Sequence, residues 1–447
     1  MSVTASAFLT PPYRVVDFNG EIMLFDIKDF GAVPDGKTLN TAAIQKTIDA
    51  CAAAGGGSVV VGGGVYLTGT IILRDRIDLH LEADGVLLGS PNCGHYAAPE
   101  DKSVYRDFRV GEIADYGDYP DFPKKHVDGE KLPRARSSAL IFAEEVTDIS
   151  ISGKGVIDAN GEHFIEKIPA DEHYHQPYGR IYAPTPPRVV FFTGCKNITV
   201  TDVTMRNQPA GWSYWIHDCD FVIFDRVRVL ANVEYPNNDG IHINSSRDVT
   251  ISNSIIQCGD DTLIVRANNI SLAENKICER VTVTNCNLIS RGSGIRIAWT
   301  NDGVIRNCSF SNLVMTDTTC GINIFLAPSA WAPHDHGRED TLVENLAFGN
   351  ITMDRMKYPV KIDIDPDPQV RCAAIRSIHF SGIHARGKNF PLLKGRTDCP
   401  LDDITFNGCS FMAEKDEGGN FPPMTISDAR HVNFSDTMMG AACPPKG

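Results

Sequence analysis

One short phrase recurs along the chain from about residue 146 onward: an apolar residue, any residue, an apolar residue, any residue, then Asn, Asp or Gly. Clear copies stand at residues 149–153, 198–202, 221–225, 249–253 and 281–285, and degenerate copies follow around Phe310, Phe348, Phe380, Phe406 and Phe434. The central apolar residues of these copies, including Val200, Ile223 and Ile251, lie 23 to 38 residues apart. A period of about 20–50 residues is typical of a solenoid, and apolar alternation indicates strands with one inward face.

Turn residues close each copy, so the repeating unit is a coil of short strands and not of helices. Stacked coils pair such strands in parallel, about 4.8 Å apart. The sequence therefore predicts an all-β fold, a right-handed parallel β-helix of about ten coils. A β-sandwich with irregular spacing is the alternative.

The N-terminal part predicts a cap for this solenoid. Asn40 and Thr41 are placed to begin a helix through Ile44, Ile48 and Ala52, and three glycines at 55–57 would end it. Such a helix would shield the apolar interior of the first coil. We expect one β-helix domain over residues 1–447, with the cap and first coils in 20–90 and the main coils in 146–440.

Two charged, Tyr- and Pro-rich segments, 93–137 and 160–187, interrupt the repeat. Long insertions on a rigid scaffold usually line or cover a binding site, so we expect these two to line a cleft. Insertions that the surface merely tolerates are the alternative.

The net charge of −14 argues against nucleic acid as a partner, because phosphate binding needs clustered Lys and Arg. No apolar stretch is long enough for a membrane helix, and the N-terminus does not resemble a signal peptide. The thirteen cysteines include no metal-type pair, so most should be small buried residues of a reduced protein. We therefore expect a cytoplasmic protein, secreted only if a leader was removed; the oligomeric state stays open.

Three carboxylates follow one another within one repeat. Asp239 lies in the stretch Pro-Asn-Asn-Asp-Gly, and Asp260 and Asp261 follow Cys-Gly about one coil later, 21 residues on. Stacked coils would bring them together as the acid and base of glycoside hydrolysis, about 6.5–9.5 Å apart in an inverting enzyme. Crowding should raise one pKa and so supply the acid. A solvated turn is the alternative.

With these motifs the chain resembles glycoside hydrolase family 28, the polygalacturonases and their relatives. The resemblance also rests on residues 29–32, 155–161 and 187–190 and on Trp212. It implies that Asp260 is the general acid and that Asp239 and Asp261 hold and activate water, with inversion. It implies further that Asn237 orients the carboxylates.

The chain departs from the family's pattern at two motifs. The family's Gly-His-Gly reads Gly-Ser-Gly here, with Ser293 in place of histidine, and its Arg-Ile-Lys reads Asn323-Ile-Phe325. We therefore expect a divergent substrate subsite. Either Arg266, Arg291 or Arg296 supplies the missing charge, or the sugar bound there is not galacturonate.

Further substrate-binding candidates are aromatic or lie near these motifs. A pyranose packs its C–H face on an aromatic ring, which suggests Trp215, Trp299 and Phe325, with Trp212 as a second possibility or a core residue. His242 follows Asp239 closely enough to reach the site, although such histidines are more often structural. The full set of expected substrate-binding residues is Asn237, Arg188, Trp215, His242, Arg266, Ser293, Arg296, Trp299, Asn323 and Phe325. No cofactor and no metal are expected, and the pair His334 and His336 is interpreted as a solvated turn.

The sequence thus predicts an inverting glycosidase of pectin-type or related oligosaccharides. Because no signal peptide is recognisable, we expect imported oligosaccharides and not polymer as substrates, which favours the exo mode. A lyase, an epimerase or a transglycosylase on the same scaffold is an alternative. A non-catalytic glycan-binding β-helix is another.

Overall fold

The structure is a computed structural model that describes residues 23–96, 139–167, 178–180, 188–209, 211–269, 272–329 and 339–442. Its strands wind into successive coils, and each strand pairs in parallel with the strand at the same place in the next coil. Parallel crossovers are right-handed almost without exception. The predicted all-β, right-handed parallel β-helix is confirmed.

Eleven parallel strands form one sheet, called sheet 1 here. In chain order they are Ile71–Ile72, Ala139–Glu144, Arg188–Thr193, Tyr214–His217, Ile241–Asn244, Leu263–Arg266, Ser293–Ile297, Cys320–Leu326, Tyr358–Ile364, Leu392–Lys394 and Thr425–Ser427. Because each strand belongs to a different coil, the described residues contain eleven coils at this sheet, against about ten expected.

Twenty-two further strands form a second parallel sheet, sheet 2. They are Leu24–Asp26, Asp35–Leu39, Gly57–Val61, Gly64–Thr68, Ile77–Leu81, Gly85–Gly89, Thr147–Gly153, Val156–Asp158, Lys196–Thr201, Thr204–Arg206, Asp220–Asp225, Arg228–Leu230, Arg247–Ser252, Ile255–Cys258, Cys278–Ser290, Val304–Thr316, Thr341–Met356, Cys372–Gly387, Leu401–Asn407, Ser410–Ala413, Ala429–Ser435 and Met438–Ala441. An antiparallel ribbon pairs Ile165–Lys167 with Tyr178–Arg180. Short 3-10 helices span Ile27–Phe30, Cys93–His95 and Gly161–Phe164.

The repeating phrase forms the interior of sheet 2. Phe310, Phe348, Phe380, Phe406 and Phe434 pair in register and stack face to face, with neighbouring ring centroids 4.6 to 5.0 Å apart. Residues that close the copies, such as Asn312 (φ 55°), adopt the left-handed conformation that Asn, Asp and Gly tolerate best. This stack is the physical form of the period in the sequence.

In the copy at residues 221–225, the inward residue is not the one that the sequence pattern predicts. The structure pairs Val200 with Phe224, which is buried, and turns Ile223 outward with 43% exposure. The left-handed residue of this copy is correspondingly Arg226 (φ 55°) and not Asp225. The segment offers four apolar residues in a row, and a period of two cannot choose between its faces.

The predicted N-terminal helix is confirmed as Thr41–Ala53. Ile44 and Ile48 are fully buried against the core of the first coils. The side chain of Asn40 does not cap the helix; its amide donates to the carbonyls of Val33 and Thr38. Asn40 thus fastens the preceding turn.

A disulfide joins Cys372 to Cys399, one coil later, so the expected reduced state is wrong for this pair. The other cysteines whose side chains are described, nine in number, are free and buried, as expected. Within the described ranges, no helix has the length and apolar character needed to cross a membrane.

Candidate active site

The three predicted carboxylates lie where the chain enters two neighbouring strands of sheet 1. Asp239 precedes Ile241–Asn244, Asp260 and Asp261 precede Leu263–Arg266, and the two strands pair in register. The stacking of coils therefore unites residues 21 positions apart.

Glycines stand beside these acids because the neighbouring backbone passes very close. A Cβ on Gly240 would lie 2.2 Å from the carbonyl oxygen of Thr262, and one on Gly259 would lie 2.1 Å from that of Tyr235. Asn238, which is fully buried, also ties the two acid segments, because its Oδ1 accepts the N–H of Gly259 at 2.6 Å. The sequence interpretation gave no role to Asn238, although its place inside the acid motif was a signal.

One oxygen from each of Asp239, Asp260 and Asp261 lies within 4.8 Å of the other two. This is closer than the spacing of about 6.5–9.5 Å expected from the general geometry of inverting enzymes. The reason is that two of the acids are consecutive and the third lies one coil, about 4.8 Å, away. Among the described residues, this is the group of ligand-type side chains that stands close enough to hold a metal ion.

Asp260 is the carboxyl best placed to be an acid. Loss of solvent around it, followed by the charges of Asp239 and Asp261, raises its pKa well above the ordinary value. Its Oδ1 accepts the N–H of Asp261 at 3.0 Å, and its Oδ2 accepts a hydrogen bond from the Asn237 amide at 3.3 Å. As a whole residue Asp260 is half-buried, whereas the other two acids are buried.

Asp239 is held by His242. The Nε2 of His242 lies 2.8 Å from Asp239 Oδ2, and the imidazole stacks on the Trp212 ring at 3.7 Å. Burial, with a contribution from the nearby Arg266, lowers the pKa of His242 well below its ordinary value. The neutral imidazole can thus donate Nε2–H to an ionised Asp239. His242 reaches the acids, as predicted, but its Nε2 contacts Asp239, whereas the sequence suggested contact with the substrate.

Asp261 has a donor on each oxygen. The backbone N–H of Ser293 donates to Oδ1 at 2.7 Å, and Nη1 of Arg296 lies 3.1 Å from Oδ2. Both partners are hydrogen-bond donors, and the one from Arg296 is charge-assisted. Ser293 therefore contacts the acids through its backbone, and Arg296 is the cation that reaches them directly.

This set of donors does not favour a metal at the cluster. Both oxygens of Asp261 already have partners, and the raised pKa of Asp260 favours a protonated carboxyl. A divalent cation would need ionised oxygen ligands. The expected absence of a metal stays a prediction.

The two departures from the family motifs touch each other. Nδ2 of Asn323 donates to Oγ of Ser293 at 3.1 Å, and both side chains are buried. Oδ1 of Asn323 is also buried and has no hydrogen-bond partner within the described part of the chain. A small neutral pair thus stands at the two positions where the resemblance implies His and Arg.

The aromatic candidates of this region pack around Arg296. Its guanidinium carbon lies 3.7 Å from the Trp299 ring centroid and 5.7 Å from that of Phe325. Trp299 is only partly buried, whereas Phe325 is 8% exposed. Trp299 remains a candidate sugar platform, and Phe325 instead supports the cations beside it.

Arg188 and Trp215 form a layered cluster that spans the two coils before the acids. The Trp215 ring stacks on Phe191 at 4.2 Å on one side and contacts the Arg188 guanidinium at 3.9 Å. Trp215 is therefore covered and 6% exposed, so it is not the sugar platform that we expected. The more exposed Trp212 lies between this cluster and His242.

Arg266 does not supply the missing charge. Its Nη2 and Nε lie 2.8 and 3.0 Å from the two oxygens of Asp302, which is fully buried. Moving this guanidinium toward a substrate would leave the buried carboxylate of Asp302 unpaired, which is strongly destabilising. Arg266 is part of the scaffold beneath the site.

Most of the two predicted insertions lies outside the described residues, as do His334 and His336. What is described of 160–187 includes the ribbon Ile165–Lys167 and Tyr178–Arg180. The Tyr178 ring meets Tyr235 edge-on at 5.0 Å. Tyr235 lies two residues before Asn237, so this part of the insertion borders the acids.

Lys361 is a cation that the sequence interpretation missed. It occupies the position in sheet 1 that pairs with Asn323, one coil further on, and its Nζ lies 4.1 Å from the Phe325 ring centroid. The cations considered from the sequence, at positions 266, 291 and 296, all precede Asn323, and none was sought in the coil that follows it. The register of the coils, which puts residues 38 positions apart side by side, was the signal available.

Comparison with known proteins agrees with this geometry. The sequence model described as "Glycosyl hydrolases family 28" matches residues 128–407, which contain all three acids. The chain belongs to glycosyl hydrolases family 28. Residues 24–94 match a second description, "Rhamnogalacturonase A/epimerase, pectate lyase-like".

Two curated relatives are similar at low identity. A probable polygalacturonase of Vitis vinifera is 25% identical over 304 residues, 66% of this chain and 55% of that protein. An exo-poly-alpha-D-galacturonosidase of Dickeya chrysanthemi is 24% identical over 321 residues, 68% of this chain and 52% of that protein. The chain thus spans about half the length of these relatives.

Among solved structures, the family 28 exopolygalacturonase of Yersinia enterocolitica superposes with a TM-score of 0.68 at 20% identity. The match covers 95% of this chain and 79% of that one. At this identity, the likeness shows the fold.

Proposed function

We propose that this family 28 protein is a glycoside hydrolase that cleaves pectin-type oligosaccharides with inversion at the anomeric carbon. The observation that carries the proposal is the division of labour among three adjacent carboxylates. Asp260 has a raised pKa, whereas Asp239 contacts His242 and Asp261 accepts hydrogen bonds from Ser293 and Arg296. A carboxyl with a raised pKa supplies the acid, and neighbouring carboxylates held by hydrogen-bond donors supply the base.

In this mechanism Asp260 gives its proton to the glycosidic oxygen as the bond to the anomeric carbon breaks. Asp239 and Asp261 hold a water molecule and take its proton as it attacks the opposite face of the sugar. His242 and Arg296 keep those two carboxylates oriented. No step needs a metal ion.

The exo mode is part of the proposal. Relatives in the comparison include proteins named as exo-acting on polygalacturonate. The contact of Tyr178 with Tyr235 also places part of an insertion beside the acids, where a wall would close one end of a cleft. Release of single terminal sugars would be the expected product pattern.

The test is product analysis on pectin-derived and neutral oligosaccharides, with the anomeric configuration followed by NMR. Wild type should release one sugar as the inverted anomer. Asp260→Asn should lower kcat by about 10²–10⁴-fold, because it removes general acid catalysis. The exposed Asp317, changed to Asn, is a matched control that should keep full activity.

The pH profile gives a second readout. Activity should fall as the pH rises through the raised pKa of Asp260, because only the protonated form is an acid. Retention of configuration would contradict the inverting mechanism, and an unsaturated product would replace hydrolysis by a lyase reaction. Full activity in Asp260→Asn would remove this residue from the catalytic role.

A further inference from the structure

The outward side chains of sheet 1 form a ladder that continues well past the acids. Arg296, Asn323 and Lys361 occupy the same register position in three consecutive coils. Neighbouring strands lie about 4.8 Å apart, so Lys361 lies about 14 Å along the axis from the coil that contains Asp261. This distance exceeds the reach of a group that acts on the sugars at the scissile bond.

Lys361 combines a fixed position with access to solvent. Its Nζ lies 3.1 Å from Asp363 Oδ2 and 4.1 Å above the Phe325 ring, and its side chain is 22% exposed. A second ammonium, that of Lys394, lies 3.7 Å from the other oxygen of Asp363. Two cations thus share one carboxylate, which leaves a local excess of positive charge on a chain of net charge −14.

The groups between the acids and Lys361 are suited to a sugar chain. Nε and Nη2 of Arg296 and Oδ1 of Asn323 are buried without hydrogen-bond partners in the described part of the chain. Such groups cost about 1–3 kcal/mol each when left unsatisfied, and a polar ligand that moves the side chains covering them would remove that cost. Donors and an acceptor in a row fit hydroxyl groups, and the ammonium beyond them fits an anion.

We propose that Lys361 forms a distal subsite that binds the carboxylate of a uronic acid residue at least one sugar beyond those flanking the cleaved bond. The inference rests on the proposed function and deepens it by naming a charge that the substrate must have away from the reaction. It also explains how the chain recognises an acidic glycan although positions 323 and 325 are not cationic. A point charge on a flexible stem suits a carboxylate whose orientation differs between substrates.

Two variants distinguish this role from a structural ion pair. Lys361→Gln should raise KM about tenfold for oligouronides of four or more sugars, leave kcat unchanged and leave disaccharide cleavage unaffected. Asp363→Asn should lower KM for the same long substrates, because it releases Lys361 from its carboxylate. Methyl esterification of the long substrate should abolish both effects.

Lys154→Gln is the matched control, since it removes the same charge from an exposed lysine beside a strand of sheet 2. It should leave every constant unchanged. Calorimetric binding of a uronate tetramer to Asp260→Asn, with and without Lys361→Gln, measures the subsite without turnover. An equal Kd in the two proteins would overturn the inference.

The inference is also overturned if Lys361→Gln and Asp363→Asn shift KM in the same direction. It is overturned as well if KM rises equally for short and long substrates, because the Lys361–Asp363 ion pair would then have only a structural role. The proposed function fails in a different way. Wild type would then cleave no glycan, while the binding experiment still decides whether Lys361 contacts a uronate.

Discussion

His217 should make the protein sensitive to mild acid. It lies fully buried in sheet 1, one coil before Asn244, whose side-chain amide contacts its Nδ1. Burial, followed by the charges of Lys276 and Arg266, lowers the pKa of His217 to about 3. In the unfolded chain the imidazole titrates near pH 6.5.

The sign follows from proton binding. Because the folded pKa is depressed, the unfolded state binds the extra proton, so stability present above about pH 6.5 is lost as the pH falls toward the folded value. Between pH 7 and pH 5 this one group should lower the free energy of unfolding by about 2 kcal/mol. His242, whose pKa is also depressed, adds to the loss in the wild type.

The assay is urea unfolding at pH 7 and pH 5, followed by tryptophan fluorescence. His217→Gln keeps a hydrogen-bonding side chain that does not titrate, so its loss between the two pH values should be about 2 kcal/mol smaller than that of the wild type. His384→Gln, at an exposed position, should keep the wild-type difference. An equal loss in His217→Gln and wild type would refute the reasoning.

Two further changes test the environment of the acid and the disulfide. Asp260→Asn should stabilise the protein increasingly as the pH rises above about 4, because a raised folded pKa means that wild-type stability is lost in that direction; the melting temperatures of the two proteins at pH 4 and 7 measure this. A difference that does not change with pH would show that Asp260 is not crowded by charge. Replacing Cys372 and Cys399 by Ser opens a loop of 27 residues and should cost about 3–4 kcal/mol in chain entropy, measured by denaturant unfolding against the oxidised wild type. Wild type treated with a reductant should match the double variant, and no change on reduction would contradict the pairing.

The fold could be predicted because each coil needs apolar residues inside and Asn, Asp or Gly at its turns, and few other residue types meet these requirements. The five stacked phenylalanines and residues such as Asn312 repeat the same interior and turn requirements in each coil. Where the segment around Ile223 and Phe224 is apolar on both faces, the same rule gave the wrong register. Alternation identifies a strand, but only contrast between its faces fixes which face is inward.

The acids could be predicted for the same reason, whereas their partners could not. Asp239, Asp260 and Asp261 belong to short motifs about one coil apart. The pairs Asn323–Ser293 and Arg266–Asp302 join residues 30 and 36 positions apart, across coils of 27 and 32 residues, and the repeat does not hold such lengths constant. Because coil length varies, the sequence does not show which side chains lie side by side in neighbouring coils. Arg266 and Arg296 were therefore equivalent candidates in the sequence, but Arg266 contacts Asp302 and Arg296 contacts Asp261.

The differences from the family's motifs at Ser293 and Asn323 involve several neighbouring coils and not single positions. In a parallel ladder each outward side chain has lateral neighbours about 4.8 Å away on both sides, so a large side chain in one coil restricts the next. Ser293 and Asn323 are small and neutral and form a hydrogen bond with each other. Arg296 contacts Asp261, and the next cation along this register position is Lys361, one coil beyond Asn323. Restoring a histidine at 293 alone would break the bond to Asn323 and crowd Arg296 without returning the family's arrangement. The substrate preference of such a site therefore changes through neighbouring coils together.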